Sequence, residues 1–235
     1  ATIYNYDYYP KHMEKLGGWE KDNDYVEYRL DVPETAPEKY TKIAEMVEKR
    51  YNLHARKLTK KEIFEGGYGK KLFDLINVTY SHLYGFSELS ERQIDQYVKM
   101  YFPLADLDLI TVVEDGNKDN QLVGLAITIP SLTRALQKCH RGRLFPFGWW
   151  HLLRAIKFHK TEVVDLLLIG VLPEYRSKGA NSLVFADLIP RYVKYGFKWG
   201  ETHVEMETNE SVQSQWGPLD PTMHKKRRCY RKAIG

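Results

Sequence analysis

Cysteine is scarce in this chain, and it has no long apolar run. Only Cys139 and Cys229 occur among 235 residues, so a disulfide framework and a cysteine-rich metal site are excluded. No apolar run approaches the ~20 residues that a membrane-spanning helix needs, and no signal peptide can be recognised. We therefore expect a cytoplasmic protein with no membrane partner.

The charge balance is mildly basic. The chain has 35 Lys and Arg against 31 Asp and Glu, a formal net charge of +4, which suits an anionic ligand but is weak for nucleic acid. The cationic run 224–228 could be a nucleic-acid patch, but cations that protect an edge strand explain it better. We expect no nucleic-acid partner. The eight histidines show no metal-ligand spacing, so no metal site is predicted.

Hydrophobic periodicity predicts an α/β fold of the α+β kind, with a mixed, mostly antiparallel sheet flanked by helices. Two β-rich runs around an Asp/Asn/Gly turn, within 109–129, indicate an antiparallel hairpin. The nearly continuous apolar run 163–172 is typical of a strand buried on both faces. Ser90 and Gln93 have the spacing of a capping box, which marks a helix start. The predicted order after residue 36 is helix 37–51, strand 53–58, helices 60–84 and 90–102, hairpin 109–129, strand 163–172, helix 182–195 and strand 203–207.

The first 35 residues have the pattern expected at the C-terminal end of a domain. A short helix ends at two glycines, and two short strands are expected around the turn-forming residues 22–24. We interpret residues 1–35 as the C-terminal remnant of a preceding domain and residues 36–235 as the main domain. The remnant is expected to pack apart from the sheet that contains 109–129 and 163–172.

Residues 131–160 lengthen the link between the hairpin and the buried strand. Their spacing predicts two helices joined by the aromatic segment 145–151. This insertion could line an acceptor pocket, or its helices could pack together and close the core. A membrane-surface role for Trp149 and Trp150 is the weaker interpretation. We expect the insertion to cover one end of an acceptor cleft.

The strongest motif is a basic, glycine-containing turn between the buried strand and the next helix. It reads Val171-Leu172-Pro173 and then Arg176-Ser177-Lys178-Gly179-Ala180-Asn181. The first amides of a helix lack intrahelical partners and lie at the positive end of the helix dipole, so such a turn can hold a phosphate. Gly179 permits the backbone angles that this needs, while Arg176 and Lys178 supply charge. An ordinary strand-to-helix turn with solvated cations is the alternative.

Through this motif the chain resembles the GCN5-related N-acetyltransferase (GNAT) superfamily, whose acyl-CoA motif is Arg/Gln-x-x-Gly-x-Gly/Ala, often preceded by Val-x-Pro. Asn181 departs from that pattern, since the family usually has Gly or Ala there. The resemblance runs in order over about residues 53–234, and residues 1–35 resemble the end of another such domain, as in tandem bacterial proteins. It implies that acetyl-CoA or another acyl-CoA is the co-substrate. The implied binding residues are Val171, Arg176, Ser177, Lys178, Gly179, Ala180, Asn181 and Asn209.

The resemblance also implies acyl transfer to a small-molecule or peptide amine. A base removes a proton from the amine, and a backbone N–H near 169–172 polarises the thioester carbonyl. Glu205, Glu207 and His203 are base candidates. They share one face of the strand 203–207, by the period of two. Asp165, at the start of the buried strand, is a further candidate.

The family's usual acid, a Tyr about seven residues after the conserved Asn, corresponds here to Trp216. An indole cannot protonate a thiolate, so Tyr230 is taken as a substitute acid, although a tyrosine on a terminal strand more often serves packing. Two functions therefore stay open. One is an acyl-CoA-dependent N-acyltransferase, and the other is a non-catalytic module that binds acyl-CoA or supports a neighbouring domain.

Overall fold

A computed structural model describes residues 5–233, so the first four and the last two residues of the ranges predicted above lie outside it. The helices are α1 Tyr8–Leu16, α2 Glu38–Tyr51, α3 Lys60–Phe64, α4 Tyr68–Tyr80, α5 Glu91–Tyr101, α6 Thr133–Gln137, α7 Gly148–Phe158, α8 Pro173–Arg176, α9 Ala180–Tyr195 and α10 Glu210–Gln213. The strands are β1 Glu20–Asp31, β2 Leu53–Arg56, β3 Ile110–Asp115, β4 Gln121–Pro130, β5 Val163–Val171, β6 Trp199–Thr202, β7 Glu205–Met206 and β8 Thr222–Arg231. No helix among the described residues is both long and apolar enough to cross a membrane.

One sheet contains all eight of these strands. Its order is β2-β3-β4-β5-β6-β1-β7, and β8 also pairs with β1. Every pairing is antiparallel except that of β5 with β6, which follows the crossover through α9. The predicted fold class, a mixed and mostly antiparallel sheet flanked by helices, is confirmed.

Helices cover both faces of the central strands. On one face α2 and α9 pack over the sheet, and Val113 of β3 belongs to that core. On the other face α4 and α5 pack over Val112 of the same strand. The continuous apolar runs in the sequence have this cause, because successive side chains of β3 enter opposite cores. The capping box at Ser90 and Gln93 is present and begins α5 as predicted.

Strand β1 is part of this sheet. It is one continuous strand that pairs with β6, where Leu30 lies opposite Gly200, and Leu30 is buried in the core beneath α9. The prediction that residues 1–35 pack apart from the main sheet is therefore wrong. Residues 22–24 resemble a turn locally, but Asp24 pairs with Arg228 of β8, and this long-range contact outweighs local turn propensity. The origin of residues 1–35 in a preceding domain stays a prediction.

The insertion 131–160 contains two helices, α6 and α7, as its spacing indicates. It joins the sheet at the beginning of β5, where the Ser131 amide donates to the Val163 carbonyl at 2.8 Å. Its end is fixed by His159, whose ring stacks on Tyr195 with 3.9 Å between centroids and contacts Asp106 at 2.7 Å. The insertion thus lies near the beginning of β5, whereas the basic turn 176–181 follows the end of that strand.

Candidate functional site

Two neighbouring strands separate in the middle of the sheet. β5 and β6 pair only over Val163–Leu166, after which β5 is irregular at Leu167 and continues with β4 as its partner but without β6. The partner strand turns at residues 203–204 into β7, which pairs with β1 instead. The separation opens a cavity of about 500 Å³. Ligand sites commonly have volumes of roughly 300–1,000 Å³.

The cavity brings together residues that are distant in the sequence. Val171, Arg176 and Asn181 border it from the turn, and Glu205 and Asn209 border it from the opposite strand and the loop that follows. These five residues came from separate predictions, of an acyl-CoA site and of a catalytic base. In the structure they line one space.

The remaining predicted site residues do not border the cavity. Lys178 places its ammonium 4.2 Å from the ring centre of Tyr175 and 5.5 Å from that of Tyr51. Glu207 is exposed beyond the end of β7, and its carboxylate pairs with Lys21 and Lys226, each at 2.7 Å. Its negative charge is balanced by two cations, so it is poorly placed to accept a proton from a substrate.

Tyr230 lies on β8, where it pairs with Lys21 of β1 outside the cavity lining. Asp165 lies on β5 and is also outside the lining. Burial raises the pKa of Asp165 to about 6. The structure therefore brings neither the substitute acid nor this further base candidate to the cavity.

Only part of the predicted phosphate-holding turn has amides free for a ligand. The amides of Lys178 and Gly179 donate to the carbonyls of Tyr175 and Arg176, at 3.1 and 3.3 Å, and so close the turn. In the described part of the chain, the amides of Ala180 and Asn181 have no hydrogen-bond acceptor. Ala180 is fully buried and does not border the cavity, so of these two amides only that of Asn181, in the first turn of the 16-residue helix α9, remains available to an anion.

Gly179 adopts an unusual backbone angle, as expected, and also has a role that the sequence did not indicate. Its φ of +83° is in the left-handed region that favours glycine. A Cβ at this position would lie 2.9 Å from Cγ2 of Ile43, so the missing side chain lets α2 approach the turn closely. A side chain at position 179 would thus clash with α2 rather than with a bound phosphate.

Arg176 closes the end of β5 and borders the cavity at the same time. Its Nε donates to the carbonyl of Val171 at 3.1 Å, and its Nη2 donates to the carbonyl of Thr79 at 3.3 Å. The other guanidinium donors are left for a ligand, because arginine carries more N–H groups than these two contacts use. The side chain is therefore held in place before any anion binds.

Glu205 and Trp216 form the central polar contact of the cavity. Trp216 is 1% exposed, and its indole N–H donates to both carboxylate oxygens of Glu205, at 3.1 and 3.2 Å. Burial raises the pKa of Glu205 to about 7, although the indole and Thr202 partly oppose that rise by hydrogen bonding to the carboxylate. A carboxyl group with this pKa exchanges protons readily at neutral pH.

Sequence reasoning treated Trp216 only as a missing acid. The signal that could have found its partner is the indole N–H itself, which needs an acceptor when it is buried. Glu205 was already a candidate on the adjacent strand, but nothing in the sequence spacing joins the two residues. Their contact depends on the tertiary fold.

Tyr80 is a second residue that sequence reasoning missed. Its hydroxyl donates to the carbonyl of Ile169 at 3.0 Å and accepts from the Ile169 amide at 3.2 Å, at the wall of the cavity. Burial raises the pKa of Tyr80. Residues 169–172 were predicted to supply the backbone N–H that polarises the thioester carbonyl. The first of these, the amide of Ile169, already donates to the Tyr80 hydroxyl.

The insertion 131–160 contributes no residue to this cavity, contrary to the expectation that it covers one end of an acceptor cleft. The insertion joins β5 at its first residue, Val163. The cavity follows the second half of that strand, from Leu166 to Val171. A nine-residue strand separates the two ends by roughly 26 Å at about 3.3 Å per residue.

Solved structures with this architecture are GCN5-related N-acetyltransferases. One from Sphaerobacter thermophilus matches 95% of this chain and 55% of its own length, with a TM-score of 0.58 and 11% identity. A tandem GNAT protein from the clavulanic acid biosynthesis pathway matches 96% of this chain and 58% of its own, with a TM-score of 0.50 and 12% identity. The chain therefore has the GNAT fold, and the resemblance predicted from the turn is confirmed.

At the level of sequence, the chain is similar to a bacterial ceramide synthase from Caulobacter vibrioides, with 23% identity over 175 residues. It is also similar to protein YghO of Escherichia coli, with 23% identity over 167 residues. Each alignment covers 69% of this chain and 42% of the relative. The chain thus spans less than half the length of the curated relatives that it matches. No family model matches it.

Proposed function

We propose that this chain is an acyl-CoA-dependent N-acyltransferase. The observation that carries the proposal is the contact between Glu205 and Trp216 in a cavity that Arg176 and Asn181 also border. A buried carboxylate and the basic turn border one cavity, and this supports a proton acceptor beside an anion-binding turn. The GNAT fold is consistent with this assignment, because its members include N-acetyltransferases by name.

The anion-binding turn would receive the pyrophosphate of acyl-CoA. The free amide of Asn181 and the held guanidinium of Arg176 would supply hydrogen bonds and positive potential at the start of α9. Asn209 borders the same cavity and offers an amide to the pantetheine arm. The thioester of the bound acyl-CoA supplies the activated acyl group.

Glu205 would remove a proton from the acceptor ammonium. The neutral amine then attacks the thioester carbon, a C–N bond forms, and the C–S bond breaks to release the CoA thiolate. The surplus proton on the nitrogen passes to that thiolate, which gives the amide and CoA thiol. Trp216 positions the carboxylate and stabilises its ionised form through the indole N–H. An ordinary thiol has a pKa of about 8.5, so the leaving thiolate needs little help from an acid. Tyr230 is not required for this scheme.

The cavity wall favours an acceptor with a hydrocarbon part. Leu83, Phe86, Val204 and Met206 border the cavity together with the leucines of β5. The Caulobacter relative is named for the synthesis of ceramide, and ceramides are amides of long-chain amines. We therefore propose a long-chain amine, rather than a peptide, as the acceptor class.

Thiol release from acetyl-CoA and from a long-chain acyl-CoA tests the assignment, with a panel of amines that includes a long-chain amino alcohol. We expect Glu205→Gln to lower kcat/KM by about 10²–10⁴, the usual contribution of a general base, with the Kd for CoA unchanged. Glu207→Gln is the matched control and should stay within about twofold of wild type. An equal loss in both variants would contradict the role of Glu205.

A non-catalytic acyl-CoA-binding module is the second candidate. The observation that favours it is the hydroxyl of Tyr80, which engages the backbone of Ile169 where a thioester or pantetheine would need those groups. Calorimetric titration separates the two functions. Binding of CoA by wild type and by Tyr80→Phe, without turnover of any amine by either protein, would make this second function the better description.

A further inference from the structure

The insertion 131–160 differs in charge from the rest of the chain. It has no Asp or Glu, while the whole chain is only +4, so the remainder is net acidic. Its seven cations, all exposed, are Arg134, Lys138, Arg141, Arg143, Arg154, Lys157 and Lys160. Within residues 5–233, only Arg134 has a carboxylate partner, Glu162 at 3.6 Å. The other six cations present their charge to an external partner.

Large aromatic side chains are exposed on the same insertion. Phe145 and Phe147 are 78% and 70% exposed, and Phe158 is 56% exposed. Trp149 and Trp150 are also exposed, and their ring centres lie 5.8 Å apart. Five exposed aromatic side chains within residues 145–158 exceed the scattered single apolar residues of an ordinary surface, so they indicate an interaction surface.

These aromatics are held on a folded support. The Trp149 indole N–H donates to the carbonyl of Pro146 at 2.9 Å, and the ring of Trp150 lies 6.3 Å from that of Phe158. Beneath them, Cys139 and Ala155 are buried. The patch is therefore a fixed feature of α7 and the segment before it.

A second cavity, of about 360 Å³, lies at the base of the insertion. Lys138, Arg154 and Lys160 border it together with Arg134, His151 and one carboxylate, that of Glu162, which pairs with Arg134. This set of donors suits a phosphate group, since cationic side chains surround a volume larger than one phosphate. Exposed aromatics and a basic cavity thus occur on one structural unit.

We propose that the insertion 131–160 docks this protein on the surface of an anionic phospholipid bilayer. Tryptophan and phenylalanine enter the boundary between headgroups and acyl chains, while the cations attract anionic lipid and the basic cavity receives a headgroup phosphate. Stable binding of this type requires both an apolar and a cationic contribution, and the insertion supplies both. This proposal replaces the expectation from sequence that the chain has no membrane partner.

A lipid surface fits better than nucleic acid. Single-stranded nucleic acid also uses cations and aromatic rings, but there the rings stack in a groove that follows the backbone. Here the most exposed rings, Phe145 and Phe147, accompany the exposed apolar Leu144. Aliphatic and phenylalanine side chains together are suited to hydrocarbon rather than to bases.

Vesicle flotation with the whole chain tests the proposal. We expect binding to phosphatidylcholine vesicles that contain phosphatidylglycerol, and about tenfold weaker binding to vesicles of phosphatidylcholine alone. Phe145→Ser/Phe147→Ser and Arg141→Glu/Arg143→Glu should each weaken binding to the anionic vesicles by at least about tenfold. The matched control is Tyr101→Ser/Leu104→Ser, an exposed apolar pair in and just after α5, which should bind as wild type does.

All variants alter exposed residues, and circular dichroism melting checks that each remains folded. Tryptophan quenching by brominated lipid provides a second readout, which Trp149→Phe/Trp150→Phe should reduce. Failure of wild type to float with anionic vesicles would overturn the proposal. So would tighter binding to a polyuridylate oligonucleotide than to vesicles, or equal losses in the control pair. None of these readouts depends on acyl transfer.

Discussion

Asp24 and Glu205 are two buried carboxylates on neighbouring strands, β1 and β7, and their pKa values move in opposite directions. Asp24 is fully buried, and Arg228 donates to both of its oxygens, at 2.8 and 2.9 Å. Lys226 and Lys21 each lie 3.1 Å away. The hydrogen bonds from Arg228 hold the pKa of Asp24 well below its ordinary value, against the effect of burial.

Glu205 has only neutral donors, the indole of Trp216 and the hydroxyl of Thr202, and burial raises its pKa to about 7. The two carboxylates are both buried, but they therefore have different roles. Cationic partners fix the charge on Asp24, which ties β1 to β8. Neutral partners leave Glu205 able to gain and lose a proton near neutral pH.

The largest expected effect is on stability, through Asp24→Asn. This change keeps the size of the side chain but removes the charge that faces Arg228, Lys226 and Lys21. We expect the free energy of unfolding to fall by about 2–4 kcal/mol, the lower part of the usual range for breaking a buried pair, because the cations are partly exposed. Urea unfolding measures this. Asp31→Asn, an exposed carboxylate on the same strand, is the control and should have little effect, so similar losses in both variants would contradict the comparison.

The pH dependence of stability should distinguish the two carboxylates. The folded pKa of Glu205, about 7, is above its ordinary 4.5, so the folded state holds the proton more tightly. Stability should therefore fall as the pH rises from about 4.5 through about 7, by up to about 3 kcal/mol. Asp24 has a depressed folded pKa. Its contribution is complete above its unfolded pKa of about 3.9 and is lost only as the pH falls through the folded value.

Glu205→Gln isolates this effect. The variant should have a flatter stability curve over that pH range and be more stable than wild type near pH 8, since Trp216 can still donate to the glutamine carbonyl. Urea unfolding at a series of pH values provides the measurement. Parallel curves for the two proteins would show that Glu205 has an ordinary pKa in the folded state.

The sequence was informative where the signal was local. The turn 176–181 lies between one strand and one helix, and the capping box of Ser90 and Gln93 lies within four residues, so short-range patterns were sufficient for both. Glu205, a candidate by strand spacing, and Asn209, implied by the family resemblance, both border the cavity, and their roles stay predictions. The GNAT fold was predicted from the resemblance of the turn motif to that family.

Long-range contacts were not predictable in the same way. β1 carries charged residues that suggest a turn, and only its partners on β6 and β8 make it a strand. The contact of Tyr80 with Ile169 joins residues on α4 and β5, and no spacing rule connects them. The local pattern also indicated only part of the role of Gly179, because an added Cβ at this position would meet Ile43 of α2.

The smallest expected effect concerns the tuning of Glu205. Trp216→Phe removes the indole N–H that stabilises the ionised carboxylate, so the pKa of Glu205 should rise further, by about one unit. If Glu205 is the base, the pH at which kcat/KM reaches half of its maximum should rise by the same amount. Lost packing alone would lower activity at every pH without moving that midpoint.

Trp199→Phe is the matched control for that substitution. Trp199 lies on β6 outside the cavity lining, where the Arg29 guanidinium lies 4.9 Å from its ring centre. Its replacement should leave the midpoint unchanged. The pH series of urea unfolding supplies an independent readout, because a higher pKa at Glu205 also moves the fall in stability to higher pH. An unmoved midpoint in both measurements would show that the indole does not tune the carboxylate, and the raised pKa of Glu205 would then depend on burial without any effect of the indole.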